Sequence, residues 1–279
     1  MRRERGGERS GENPIRSHSR RGRDVARGAK VKPYWVSDDG AIAVFCAPWE
    51  DVHAAGLVPV RDVALVHADP VYGIGDHAHR PGAVDGRIRR NTRGTHRRGS
   101  AETGKARAWQ PLSGNDRPFD PAPLLALTRP LVTWGGNHYA SRLPDSASWI
   151  VWDKRDATAP DDGSDAELAW TNLGGALRTF RHAWRGLARA SETGTPHLHP
   201  TQKPIALSTY VFQRAKLKRG DLVFVPYLGS GPDLPAAVAM GLRVIACEVV
   251  PDYCATAIGR LGAITNERAA EPVGPLFSR

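Results

Sequence analysis

Gly229, Ser230 and Gly231 follow the apolar, β-branched run Leu222 to Val225 after Pro226-Tyr227-Leu228 and stand directly before Pro232 and Asp233. Glycine takes positive φ without a Cβ penalty, so such a turn lets a ligand approach the backbone. Pro232 suits the first turn of a helix, because its fixed φ is already helical and no N–H is needed there, and Asp233 beside it favours the positive end of the helix dipole. Ala236 to Met240 continues that helix, Gly241 stops it, and a second apolar run, Leu242 to Cys247, ends at Glu248. A strand, a glycine turn, a helix and a second strand ending in an acid make up a unit that binds nucleoside-containing ligands. The turn faces one part of the ligand and the acid hydrogen-bonds the ribose hydroxyls.

A dinucleotide fingerprint would put a third glycine at position 234, where the chain has Leu234. Pro232 also removes an N–H from the helix end that would hold a pyrophosphate. Both features disfavour NAD and suit a cofactor without phosphates, S-adenosylmethionine. A lone glycine motif is a weak signal, and on this stretch alone a tight turn without a ligand is equally open. The second candidate is Asp69. The run Val63 to Ala68 leads straight into Asp69-Pro70-Val71-Tyr72-Gly73, and a proline after the aspartate turns the chain out of the strand. Asp69 is thus left at a strand's carboxyl end, where α/β sheets place their ligands. Metal chemistry is not indicated. His77, His79 and His96 have no cysteine or acidic partners at ligand spacing, and Cys46, Cys247 and Cys254 have neither metal nor disulfide spacing.

The elements that must position these residues alternate along the chain. Strands are predicted at Ala41 to Cys46, Val63 to Ala68, Leu131 to Trp134, Ser148 to Asp153 and Glu167 to Thr171, with an edge strand at Thr179 to Trp184. Helices are predicted at Pro48 to Ala55, Pro121 to Thr128 and Ile205 to Ala215, and a turn opening a short helix at Gly135 to Tyr139. With the unit around the glycine turn, this is the pattern of an α/β fold. Its 279 residues hold one such domain with appendages. No run is apolar for the length of a membrane span, and with cysteine usage that suits a reducing compartment a cytoplasmic protein is expected.

The net charge of +10 is unevenly spread. Residues 1–33 carry eleven Lys/Arg against four acids, and residues 77–117 carry ten against three, so the rest of the chain is mildly acidic. The first segment has almost no aliphatic residues and reads as a disordered basic arm, and the second as a long basic loop. Residues 34–265 are the expected domain and residues 266–279 a tail. Two arginine-rich segments on an acidic body are what a polyanion-binding protein shows, although a solvated tail and loop would look alike.

Three stretches together resemble one family, the β-class DNA amino-methyltransferases (N6-adenine/N4-cytosine DNA methylases). Asp69-Pro70-Val71-Tyr72 resembles the family's catalytic (D/N/S)PPY, His199 to Pro204 its HxTQKP, and Pro226 to Gly231 its DPFxGSG loop. The catalytic motif precedes the cofactor loop, as in this permuted class, and the resemblance covers roughly residues 38–262. It implies a Rossmann-like methyltransferase fold: a mixed, mostly parallel sheet with helices on both faces. It also implies S-adenosylmethionine as methyl donor and DNA as substrate. Asp69 and the Pro70 carbonyl would accept the two N–H groups of an exocyclic base amine, and Tyr72 would stack on a base flipped out of the duplex. Thr201, Lys203 and Glu248 would help hold the cofactor, with Tyr227, Gly229, Ser230 and Gly231 along its other side. Donor and acceptor sites must meet, so the strand ending at Asp69 is expected beside the strand ending at Val225. Asp69 favours adenine N6 as target; the alternatives are cytosine N4 or a degenerate relative that binds without transferring methyl. Three residues depart from the family pattern: Val71 replaces the second proline, Val225 stands where aspartate is usual, and Asp233 where a small or hydroxyl residue is common.

Overall fold

The computed structural model describes residues 31–74, 114–155, 164–185 and 188–262. The arm at 1–30, most of the basic loop including His77, His79 and His96, and the tail at 266–279 lie outside the described residues.

The strands are β1 (Trp35–Val36), β2 (Ile42–Cys46), β3 (Val63–Ala68), β4 (Leu131–Trp134), β5 (Trp149–Asp153), β6 (Ala166–Thr171), β7 (Arg178–Arg181), β8 (Trp184–Arg185), β9 (Ala188–Arg189), β10 (Leu222–Val225) and β11 (Arg243–Glu248). The α-helices are α1 (Trp49–Ala54), α2 (Ala122–Leu125), α3 (Ile205–Arg214), α4 (Asp233–Met240) and α5 (Pro251–Gly262). Nine strands form one sheet in the order β1-β2-β11-β10-β3-β4-β6-β5-β7, and β8 and β9 pair separately. Pairing is parallel from β2 through β11, β10 and β3 to β4, and again between β5 and β7. It is antiparallel at β1–β2 and where β6 joins β4 and β5. This is the mixed, mostly parallel, Rossmann-like sheet expected.

The central strands are largely apolar because both faces are covered. In β10, Val223 and Val225 face one core and Leu222 and Phe224 the other; in β11, Val244 and Ala246 oppose Ile245 and Cys247 in the same way. The first core takes Leu207, Val211 and Phe212 of α3, Leu234, Ala236 and Ala237 of α4, and Cys254 and Ala257 of α5. The second takes Trp49 and Val52 of α1 and Leu124 of α2. α4 contributes small, buried residues because it packs between α3 and α5. Gly241 ends it in the left-handed conformation, φ 63°.

Three expectations change. The predicted helix at Pro121 to Thr128 is a single turn, Ala122–Leu125, closed where Thr128 takes φ 51°. The predicted edge strand at Thr179 to Trp184 does lie at the sheet edge, but β7 stops at Arg181 opposite the last residue of β5, and Trp184 belongs to the β8–β9 pair. Gly135 to Tyr139 opens two short 3-10 turns, Gly136–His138 and Ala140–Arg142. What positions the site is that β3 and β10 are parallel neighbours, with Val66 opposite Phe224, so their carboxyl ends open on the same side.

Candidate active site

The loops after β3 and β10 line one cavity of about 630 Å³. Asp69, Pro70, Tyr72, Thr201, Lys203, Tyr227, Gly229, Ser230 and Glu248 all reach it; Gly231 does not. Such a volume is in the range that holds a nucleoside-sized ligand with room beside it.

On the β3 side the carboxylate of Asp69 is the centre of a polar cluster. Its Oδ1 accepts the Tyr72 hydroxyl at 2.9 Å, and its Oδ2 faces the Lys203 ammonium at 2.5 Å. Lys203 also lies 3.3 Å from Glu167 Oε2, and Lys154 donates to Glu167 Oε1 at 3.0 Å. Two carboxylates and two ammoniums therefore alternate and balance. Burial raises the Asp69 pKa above the usual carboxylate value, the Glu167 charge adds to this, and Lys203 opposes it. For Glu167, burial pushes up but the two ammoniums prevail, and its carboxyl is pulled down to about 2. Burial alone would lower the Lys203 pKa, yet the two carboxylates raise it above the usual value, so it stays an ammonium. Burial beside Asp69 and Glu167 likewise keeps the Tyr72 hydroxyl protonated.

The Tyr72 ring is fixed by its neighbours. Gly135 follows β4 at φ 73°, and a Cβ there would fall 2.2 Å from Tyr72 Cε1, so only glycine lets the ring lie against this backbone. The His138 imidazole stacks on the ring at 5.1 Å and 16° between planes. Gly73, at φ 72°, lies against the Arg117 carbonyl, where a Cβ would be 2.1 Å away; this fastens the Asp69–Gly73 turn to the segment before α2.

On the β10 side, Gly229 and Gly231 take φ 53° and 69°. Glu248 Oε2 accepts the Gly229 N–H at 2.9 Å, and its Oε1 accepts those of Val249 and Val250 at 2.8 and 2.9 Å. Burial raises its pKa against these three donors. A carboxylate has about four acceptor positions, so one is left for a ligand hydroxyl. Tyr227 accepts the indole N–H of Trp49 at 3.0 Å, with the Phe119 ring edge-on at 6.0 Å. Gly231 is packed closely against α5: a Cβ there would lie 2.4 Å from the Ala257 Cβ.

The segment before α3 is held by its own residues. Gln202 Oε1 accepts the Leu198 N–H at 2.8 Å, and the Gln202 carbonyl accepts the Trp184 indole at 2.7 Å. Thr201 bonds to His199 Nδ1 through both its N–H and its hydroxyl at 3.2 Å, and the His199 ring meets Tyr253 at 4.3 Å. Lys203, expected beside the cofactor, lines the shared cavity and there pairs with Asp69 and Glu167, whose carboxylates offset its desolvation.

No family model matches the chain. Among solved structures, the cytosine-N4-specific PvuII DNA methyltransferase aligns over 85% of this chain and 93% of its own length, at 12% identity and a TM-score of 0.49. M1.HpyAVI, solved as a SAM complex, aligns over 79% of this chain and all of its own, at 15% identity and a TM-score of 0.45. TTHA0409, a putative DNA modification methylase from Thermus thermophilus complexed with S-adenosyl-L-methionine, aligns over 82% and 98%, at 16% and 0.42.

Several residues of the site carried no signal in the sequence. Glu167 lies on β6 and Lys154 directly after its antiparallel neighbour β5, and they join the Asp69 cluster only in space, through Lys203. His67, inside an apolar strand, lies 2.6 Å from Asp233. Arg260, late in α5, donates to the Ser230 carbonyl and hydroxyl at 3.0 Å and pairs with Glu192 at 2.5 Å. Glu192 in turn accepts the Ile205 N–H at the start of α3. This clamp ties the glycine turn to two helices.

Proposed function

We propose that the protein is an S-adenosylmethionine-dependent DNA methyltransferase acting on an exocyclic base amine, adenine N6 before cytosine N4. The observation that carries the reading is that the Asp69–Tyr72 turn and the Gly229–Gly231 turn end adjacent parallel strands and share one cavity. A cofactor fits its β10 side: positive-φ glycines leave backbone accessible, and Glu248 retains acceptor capacity for a ribose hydroxyl. S-adenosylmethionine, when bound, supplies a methyl group made electrophilic by its positive sulfur.

The protein's own residues then do three things. Asp69 and the Pro70 carbonyl orient the amine, whose lone pair is otherwise delocalised into the ring, so that it points at the methyl carbon. Asp69, whose pKa burial raises, would take the proton that the amine gives up on methylation. Lys203 and Glu167 keep the local charge balanced while Tyr72 offers a ring at the cavity wall. Residues 1–33 and 77–117 supply the phosphate contacts, and the second segment grips the strand from which the base is flipped.

The test is incorporation of tritiated methyl from S-adenosylmethionine into DNA, followed by identification of the modified base. Methylated adenine from the wild type, and none from Asp69→Ala with cofactor binding retained, is the expected result. Modified cytosine would move the target atom to N4. Cofactor binding with no methyl incorporated into any DNA would make the chain a degenerate relative.

A further inference from the structure

Asp233 is 5% exposed and lines the cavity at the start of α4. Its Oδ1 lies 2.6 Å from Nδ1 of His67, whose Nε2 lies 2.9 Å from the indole Nε1 of Trp134. An indole N–H only donates, so Nε2 of His67 must present a lone pair. Nδ1 then carries the one ring proton and donates it to Asp233, and the imidazole is neutral. The arrangement leaves one negative charge almost buried. Among the described residues, Asp233 has no ion pair with a lysine or arginine.

The other acids of the cavity that are not solvent-exposed are compensated. Asp69 and Glu167 face Lys203 and Lys154, and Glu248 takes three backbone N–H groups. The start of α4 offsets part of the Asp233 charge, but a buried carboxylate without a cation is costly, and a cationic ligand relieves that cost. Its place narrows the choice of cation. His67 is two residues before Asp69 on β3, whereas Glu248 ends β11, and β10 with its glycine turn lies between these strands. Asp233 and the acid that suits a ribose therefore flank the turn on opposite sides, Asp233 towards the catalytic carboxylate.

We propose that Asp233, oriented by His67, accepts the α-ammonium group of the cofactor's methionyl part. The inference rests on the S-adenosylmethionine reading. An ammonium brings both a positive charge and N–H donors for the carboxylate lone pairs, whereas a sulfonium brings charge alone.

Calorimetry with three ligands separates these possibilities: S-adenosylmethionine, S-adenosylhomocysteine, which keeps the ammonium but has neutral sulfur, and 5′-methylthioadenosine, which lacks the amino acid. Asp233→Asn is expected to weaken the first two alike, by about 10- to 100-fold, the range for a hydrogen bond to a charged group. Binding of 5′-methylthioadenosine should stay within about twofold. Loss confined to S-adenosylmethionine would assign Asp233 to the sulfonium and overturn the proposal. Equal loss for all three, or no loss for any, would also overturn it, by making Asp233 a support of the turn or a bystander. If melting shows that Asp233→Asn does not fold, Asp233→Ser, which keeps a hydroxyl towards His67, carries the same comparison. A wild type that binds none of the three would instead refute the cofactor reading itself.

Discussion

Replacing Glu167 by glutamine keeps its volume and removes one charge from the middle of the Asp69–Lys203–Glu167–Lys154 cluster. Lys203 lies 3.3 Å and Lys154 3.0 Å from the carboxylate, and together they overcome burial to hold its pKa at about 2, against an ordinary 4.5. Because the folded value lies below the unfolded one, the stabilisation is complete above pH 4.5 and is lost as pH falls through about 2. The difference corresponds to roughly 3 kcal/mol. The side chain is 24% exposed, so solvent screening reduces the expected loss in Glu167→Gln to about 2 kcal/mol at neutral pH. Urea unfolding of wild type and variant at about pH 7 and about pH 3.5 reads both the size and the sign, with the deficit shrinking by roughly 1 kcal/mol at the lower pH. A deficit that is the same at both pH values, or absent at neutral pH, would refute the assignment of Glu167 as the counter-ion of the two lysines.

Three further outcomes are expected. The proposed reaction would need Asp69 ionised, and burial raises its pKa above 3.8, so kcat should fall as pH drops through that raised value, and an acid limb unchanged in Glu167→Gln would show that Asp69 does not set it. Gly135→Ala adds a Cβ 2.2 Å from the Tyr72 ring at φ 73°, with backbone strain of about 1–2 kcal/mol. It should abolish transfer while calorimetry still finds cofactor binding, whereas full activity would mean that the place of the Tyr72 ring is immaterial. Arg260→Met leaves Glu192, whose side chain is 14% exposed, without its cation and frees Ser230, for an expected loss of about 3 kcal/mol. A melting temperature within a degree or so of the wild type would remove the clamp as a stabilising feature.

The alternation of apolar runs with glycine and proline was enough to locate β3, β4 and β10 residue for residue, because strands buried on both faces are mostly apolar and end abruptly at Asp69-Pro70, Gly135 and Pro226. The glycine turn, its following helix and Glu248 were legible for the same reason: positive φ and helix starts leave marks in local residue choice. Helix length was less legible at α2, where Pro121 to Thr128 has helical spacing but only one turn forms. Pairing across the sheet was not legible at all in the antiparallel part. Register between β5 and β6 brings Lys154 to Glu167, and the reach of Lys203 from the segment before α3 brings both to Asp69. Charge compensation is a property of distance and burial, neither of which is encoded within a few residues of sequence. Tertiary structure alone therefore decided that Lys203 pairs with Asp69, that Asp233 meets His67, and that Gly135 seats Tyr72.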